Sequence, residues 1–259
     1  MQRRRSCLTV PGDDERKLAK AAGISADEVI VDLEDAVAPE RKHAAREIAA
    51  RALMTLEWAA PTVALRVNGA RTEWHVDDLA IAHLAAVVVV PKVESPDELA
   101  GLGACEALIE TARGLANCEA ITRAPGLEAL VFGPGDLAAS LGVPALTIGE
   151  GAHTAYALAR IIVAARAAGV QAIDGPYPHH ADADGLRASA QRSRAYGYDG
   201  KWCIHPAQIE ICNDVYAPTP DELARAHAIL ESSGVASVGG EMIDEANRRM
   251  AEAIVARAG

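Results

Sequence analysis

Aromatic residues are scarce in this 259-residue chain, at 3%, with one Phe and three Trp. That scarcity excludes a base-stacking platform for nucleic acid and suits a close-packed α/β core better than an all-β sandwich. Basic charge is also short: 25 Lys and Arg face 36 Asp and Glu, a net −11. A net-anionic surface argues against nucleic acid or an anionic membrane as the main partner. No apolar run approaches the roughly 18–20 residues that span a bilayer, and the longest conspicuous one, AAVVVV at 85–90, stops at Pro91. The amino terminus carries arginines but no apolar stretch before Pro11, so no secretory signal is expected. The five cysteines are odd in number and contain no CxxC pair. Reduced thiols in a cytoplasmic protein are expected, without a disulfide framework or zinc site. No G-x-G-x-x-G follows the first strand candidate, and no G-x-S-x-G occurs. The strongest signatures of a dinucleotide-binding sheet and of a serine hydrolase are therefore missing.

What is present is alternation. Eight short β-rich runs occur at 6–12, 28–37, 62–69, 85–94, 106–114, 129–137, 171–178 and 199–206. Most are apolar on consecutive positions, as strands buried on both faces require. Alanine-rich stretches of helical character separate them, among them ERKLAKAA, PERKHAAREIAARAL, GLANCEAITRA and HTAYALARIIVAARAAG. The last ends at Gly169, a helix-stop signal, and SPDE at 95–98 reads as an N-cap with Pro in the first helical position. Eight βα units in about 210 residues predict a TIM (β/α)8 barrel. The barrel is expected over 1–215, with 216–259 a C-terminal helical extension of the same domain, its helices joined by a Gly-rich connector at 234–240.

Barrel active sites form at the carboxyl ends of strands. There the sequence places Asp32, Glu34 and Asp35; Arg66 and Asn68; Lys92 and Glu94; Glu110; Asp136; Asp174; and His205. Glu110 and Asp136 end adjacent strands five and six, and two converging carboxylates suit Mg²⁺ or Mn²⁺. Taken singly, such acids serve as helix caps or ion-pair partners. Arg66 in LRVNG is suited to clamping a substrate carboxylate and equally to pairing with Glu34 or Asp35; the two roles are compatible. The glycines of GPGDLAASLG, including Gly135, read as a tight turn exposing backbone N–H groups to an anionic substrate. Lys92 reads as an ion-paired structural lysine, His205 as a loop-orienting residue, Cys203 as packed core, and His179–His180 as a solvated pair.

Together VIVDLEDAV, LRVNG, VVVPKVES, LIETARG, FGPGDLAASLG, AIDGPYP and GYDGKWCIHPAQI resemble the citrate lyase β-subunit-like branch of the HpcH/HpaI aldolase superfamily. These seven elements stand in family order, and the resemblance as a whole runs from SCLTVPG at residue 6 to the MIDEA segment at 242–246. The resemblance implies a Mg²⁺-dependent TIM-barrel lyase, homotrimeric or hexameric, that cleaves or forms a carbon–carbon bond in 3-hydroxyacyl-CoA thioesters of citryl, malyl or citramalyl type. It places metal ligation on Glu110 and Asp136 and oxo-acid carboxylate contact on Arg66. It puts a catalytic acid/base on Asp244, often reaching a neighbouring subunit, and CoA phosphate contact on Arg16 and Lys20. Gly135 stands where glutamate is common in that branch, and Ala246 replaces the proline of the C-terminal motif. GPGDLAASLG is closer to the pattern of aldolases that cleave free hydroxy-oxo acids. Such an aldolase releasing pyruvate, or a β subunit inert without its carrier partner, are the alternative readings.

Overall fold

The computed structural model describes residues 3–143, 151–232, 236–238 and 241–258. Eight parallel strands form a closed barrel: β1 (Ser6–Pro11), β2 (Glu28–Asp32), β3 (Thr62–Arg66), β4 (Val87–Val90), β5 (Cys105–Ile109), β6 (Leu127–Phe132), β7 (Gln171–Asp174) and β8 (Gly200–Cys203). Each pairs with the next, and β1 closes on β8 with Cys7 opposite Trp202. The expected TIM barrel is present. Its strands are short and two-sided because residues such as Val29, Ile30 and Val31 are all fully buried. Alternate residues fill the lumen, where Cys7, Ile30, Ala64, Val89, Leu108, Val131, Ile173 and Trp202 form one cluster.

The helices are α1 (Glu15–Ala22), α2 (Lys42–Thr55), α3 (His75–Ala82), α4 (Ala112–Ala116), α5 (Cys118–Ile121), α6 (Pro134–Ser140), α7 (Ala152–Ala168), α8 (Ala183–Tyr196), α9 (Ile209–Tyr216), α10 (Pro220–Glu231) and α11 (Glu245–Ala256). α7 ends as expected at Gly169, whose φ of 73° supplies the left-handed cap that a side chain disfavours. Three local expectations change. SPDE forms only a 3₁₀ turn at Pro96–Leu99, and Ser95 makes no side-chain cap. GLANCEAITRA breaks into α4 and α5 at Asn117, whose side chain instead donates to the Glu94 carbonyl. The connector expected at 234–240 contains β9 (Ala236–Val238), paired antiparallel with β10 (Glu241–Ile243); residues 233–235 and 239–240 lie outside the described set.

The chain divides into Met1–Asn213, the barrel unit, and Asp214–Gly259. In the second unit α10 and α11 pack through Ala226, Ile229, Ile243 and Ala251. Both helices begin with reciprocal capping boxes, Thr219 with Glu222 and Asp244 with Asn247. At the amino end of the barrel, Arg4 contacts Glu106 and Glu128, with Glu28 at 3.6 Å. Glu28 and Glu106 are fully buried there. Burial, then the charge of Glu106, pushes the Glu28 carboxyl up to about 8.

Candidate active site

The site is built at the opposite, carboxyl end. Asp32 closes β2 and is fully buried; Arg66 closes β3 directly beside it in register. Arg66 donates from Nε and Nη2 to the two oxygens of Asp32, each at 2.6 Å. Its Nη1 lies 3.0 Å from Glu34 and 3.9 Å from Asp35. Both expected partners are therefore near, but the bidentate one is Asp32. Backbone N–H groups of Glu34 and Ala36 also donate to Asp32, at 2.8 and 3.0 Å. Burial alone lowers the pKa of Arg66, yet the Asp32 charge and hydrogen bonds outweigh it and lock the guanidinium in its charged form. The Trp202 ring, 5.3 Å from the guanidinium carbon, covers it from β8.

Behind this pair, Lys42 of α2 is buried, and its ammonium donates to the Leu33 and Glu34 carbonyls and to Asn68 Oδ1 at 2.7–2.8 Å. Asn68 donates in turn to Leu33 and Asp78. The loop that carries Glu34 and Asp35 is thus tied to β3 by a fully satisfied network.

Glu110 follows β5 and Asp136 sits in the first turn of α6, one element later than a strand end. Both line a cavity of about 250 Å³ with Asp35, Arg66, Gly133, Gly135 and Trp202. Glu110 is 3% exposed. Burial first, then the charges of Asp136 and Glu34, push its carboxyl up to about 8. A β-carbon on Gly133 would collide with the Glu110 carboxyl, so glycine there gives the acid its room. Lys92 adopts φ of 56°, the positive-φ non-glycine among the described residues. In that conformation its N–H donates to Glu110 Oε1 at 2.9 Å while its ammonium reaches Glu34 at 2.5 Å and Asp136 at 3.9 Å. Holding a strained backbone at a ligand-facing position is characteristic of working sites.

The donor chemistry fits a divalent cation. Asp32, Glu34, Asp35, Glu110 and Asp136 gather around Arg66 and Lys92, leaving anionic charge in excess. Hard oxygen donors with a raised carboxyl pKa are what a bound cation would relieve. Among the described residues no three His, Cys, Asp or Glu side chains group for metal binding. Glu110 and Asp136, which line the same cavity, are the residues that would hold it.

A second groove, about 390 Å³, adjoins this cavity through the shared residues Thr9 and Ile204. Lys20 lines it, and so does Lys17, which the sequence did not single out; Arg16 is exposed on the same helix but is not among its lining residues. His205, exposed, accepts from the Ala207 N–H and caps the turn Pro206–Gln208, as a loop-orienting residue would. His179 and His180 are exposed. Asp244 lies in the second unit, exposed, as the N-cap of α11. Asp32 was expected at the site but not as the partner of Arg66, and Lys17 was not expected at all, because these roles depend on register and groove shape rather than on residue type.

The model of the HpcH/HpaI aldolase/citrate lyase family matches residues 5–206. A (3S)-malyl-CoA thioesterase of Cereibacter sphaeroides is 37% identical over 270 residues, covering 98% of this chain and 94% of its own. An L-malyl-CoA/beta-methylmalyl-CoA lyase of the same organism is 32% identical over 293 residues, covering 96% and 92%. CitE from Mycobacterium tuberculosis, solved with magnesium, acetoacetate and coenzyme A, superposes with TM-score 0.86 at 31% identity, over 99% of this chain and 98% of that one. The citrate lyase beta subunit from M. tuberculosis, solved with oxaloacetate and magnesium, gives 0.75 at 32%, over 83% and 98%.

Proposed function

The chain belongs to the HpcH/HpaI aldolase/citrate lyase family of carbon–carbon lyases, and from that premise we propose that it is a Mg²⁺-dependent lyase of a malyl-type 3-hydroxyacyl-CoA. One observation carries the reading. Glu110, Asp136 and Arg66 face a single cavity that opens beside a groove bearing two lysines.

Glu110 and Asp136 would hold the cation, which when bound supplies Lewis-acid polarisation of the substrate's hydroxyl or oxo oxygen. Cleavage between the α and β carbons turns the hydroxyl-bearing carbon into the carbonyl of an oxo acid with loss of its O–H proton, and leaves the other half as a thioester enolate that takes up one proton at carbon. Arg66 has five N–H hydrogens. Asp32 takes one on Nε and one on Nη2, and Glu34 is placed to take one on Nη1. One hydrogen on Nη1 and one on Nη2 remain to hold the oxo-acid carboxylate, pre-oriented by Asp32. Lys92 keeps Glu34 fixed beside Arg66 and orients Glu110 through its own N–H. The Gly135 backbone turn meets the substrate anion, and Lys17 and Lys20, with Arg16 on the same helix, meet the CoA phosphates. Asp244, contributed within a homotrimer or hexamer, is assigned the proton transfer at the enolate carbon.

A second reading is thioester hydrolysis, favoured by the 37% identity to the (3S)-malyl-CoA thioesterase. Malyl-CoA with Mg²⁺ separates the two by mass spectrometry: lyase action releases acetyl-CoA and glyoxylate, hydrolysis releases malate and free CoA. Glu110→Ala and Asp136→Ala are expected to abolish release of glyoxylate with the fold retained. Full turnover in excess EDTA, or in either variant, sinks the proposal.

A further inference from the structure

Two thiols outside the catalytic cavity meet in the structure. Cys203, the last residue of β8, places Sγ 3.6 Å from Sγ of Cys212 on α9, and both side chains are fully buried. Both belong to the barrel unit. The mechanism above uses neither. We propose that Cys203 and Cys212 are an oxidisable dithiol, which a hydroperoxide converts into a disulfide tying the end of β8 to α9.

The geometry is close to what the bond needs. Sulfurs already in van der Waals contact must approach by roughly 1.5 Å to reach the S–S length of about 2.05 Å. The two residues stand nine apart, so the loop to be closed is short. The pair is also polarised. The Cys203 thiol donates toward Cys212, and that hydrogen bond, helped by the nearby Lys201 ammonium, eases release of the pair's first proton and makes the second harder to remove. The remaining thiols lack such help: burial raises Cys7 well above its ordinary value, Cys105 to about 11 and Cys118 to about 12. Thiolate, not thiol, is the nucleophile, so attack is directed to this pair.

The step balances with a peroxide as the two-electron oxidant. The Cys212 thiolate attacks one peroxide oxygen, the O–O bond breaks, and the leaving oxygen takes a proton as water or alcohol. The resulting sulfenic acid is attacked by Cys203 sulfur; S–S forms, the S–O bond breaks, and the hydroxyl leaves as water with the Cys203 proton. Two thiols and one hydroperoxide give one disulfide, one alcohol or water, and one further water. With both sulfurs buried, access comes through opening of the eight-residue α9, and local opening of short elements costs less than global unfolding.

The test uses the native full-length chain. It is treated with hydrogen peroxide, quenched, unfolded and alkylated with iodoacetamide, then digested with trypsin. Cleavage after Lys201 and Arg225 leaves both cysteines on the peptide 202–225. Expected is a 202–225 peptide that carries no alkyl group and has lost two hydrogens, about 2 Da, while Cys7, Cys105 and Cys118 stay alkylated. Dithiothreitol before alkylation should restore two alkyl groups to it. Cys212→Ser should eliminate the doubly unalkylated peptide. The proposal is overturned if all five thiols remain alkylatable. It is equally overturned if peroxide stops at a sulfinic acid on one sulfur, or if oxidation strikes the other three first.

Discussion

Asp32→Asn tests the core of the site. Four donors converge on the two oxygens of Asp32: Arg66 Nε and the Glu34 N–H on one, Arg66 Nη2 and the Ala36 N–H on the other. Asparagine offers one acceptor oxygen and one NH₂, so whichever way it turns, two donors face a donor. It also removes the charge that compensates the guanidinium of an arginine only 6% exposed. Glu34 remains at 3.0 Å, but burial already raises its own pKa, so it is a poorer substitute. Breaking a buried, hydrogen-bonded pair from one side costs ~3–5 kcal/mol, against a typical total stability of ~5–15 kcal/mol. Urea unfolding followed by circular dichroism should show a large drop in midpoint with little change in slope. Among folded molecules Arg66 is no longer pinned, and loss of positioning should lower kcat/KM for the thioester by about a hundredfold. A urea midpoint indistinguishable from the parent's, together with a kcat/KM within twofold of it, would refute the account of Asp32 as the anchor of Arg66.

Glu28→Gln probes the opposite end of the barrel. The carboxyl titrates near 8 when folded against 4.5 when free, because burial and then Glu106 disfavour its charge. The folded state therefore holds a proton that the unfolded chain releases, and stability falls as pH rises from about 4.5 to about 8. At about 1.4 kcal/mol per pH unit the variant should gain ~3–5 kcal/mol relative to the parent between pH 5 and pH 8; equal urea midpoint profiles would count against it. Gly133→Ala drives a methyl into the Glu110 carboxyl. Calorimetric Mg²⁺ titration should show affinity weakened by about tenfold or more, the scale seen when a ligand's supporting contacts are disturbed. Arg66→Lys substitutes a point charge for the fork held by Asp32, so KM for the thioester should rise by about tenfold or more while Mg²⁺ affinity holds. An unchanged KM argues that Arg66 does not touch substrate.

The barrel was legible because its signal is local and repeated: runs such as EVIVD and VVVV read as two-sided strands without knowledge of their neighbours. The second unit was less so. Glycines around Ala236–Val238 read as a connector, yet Ala236 pairs with Ile243, a partner seven residues away. Ser95 looks like a cap by residue type, but its turn continues only as 3₁₀. Lys92 was legible as an ion-paired lysine; its left-handed backbone, which lets one residue hold both Glu110 and Glu34, was not.

Residue order alone settles that eight βα units close one barrel and that Glu110 and Asp136 follow neighbouring strands, since both depend on chemistry a few residues long. Which acid grips Arg66, which lysines line the groove beside the cavity, and how far Glu110 is driven toward protonation were settled in three dimensions. Strand register, desolvation and through-space charge set those outcomes, and each arises between residues tens of positions apart.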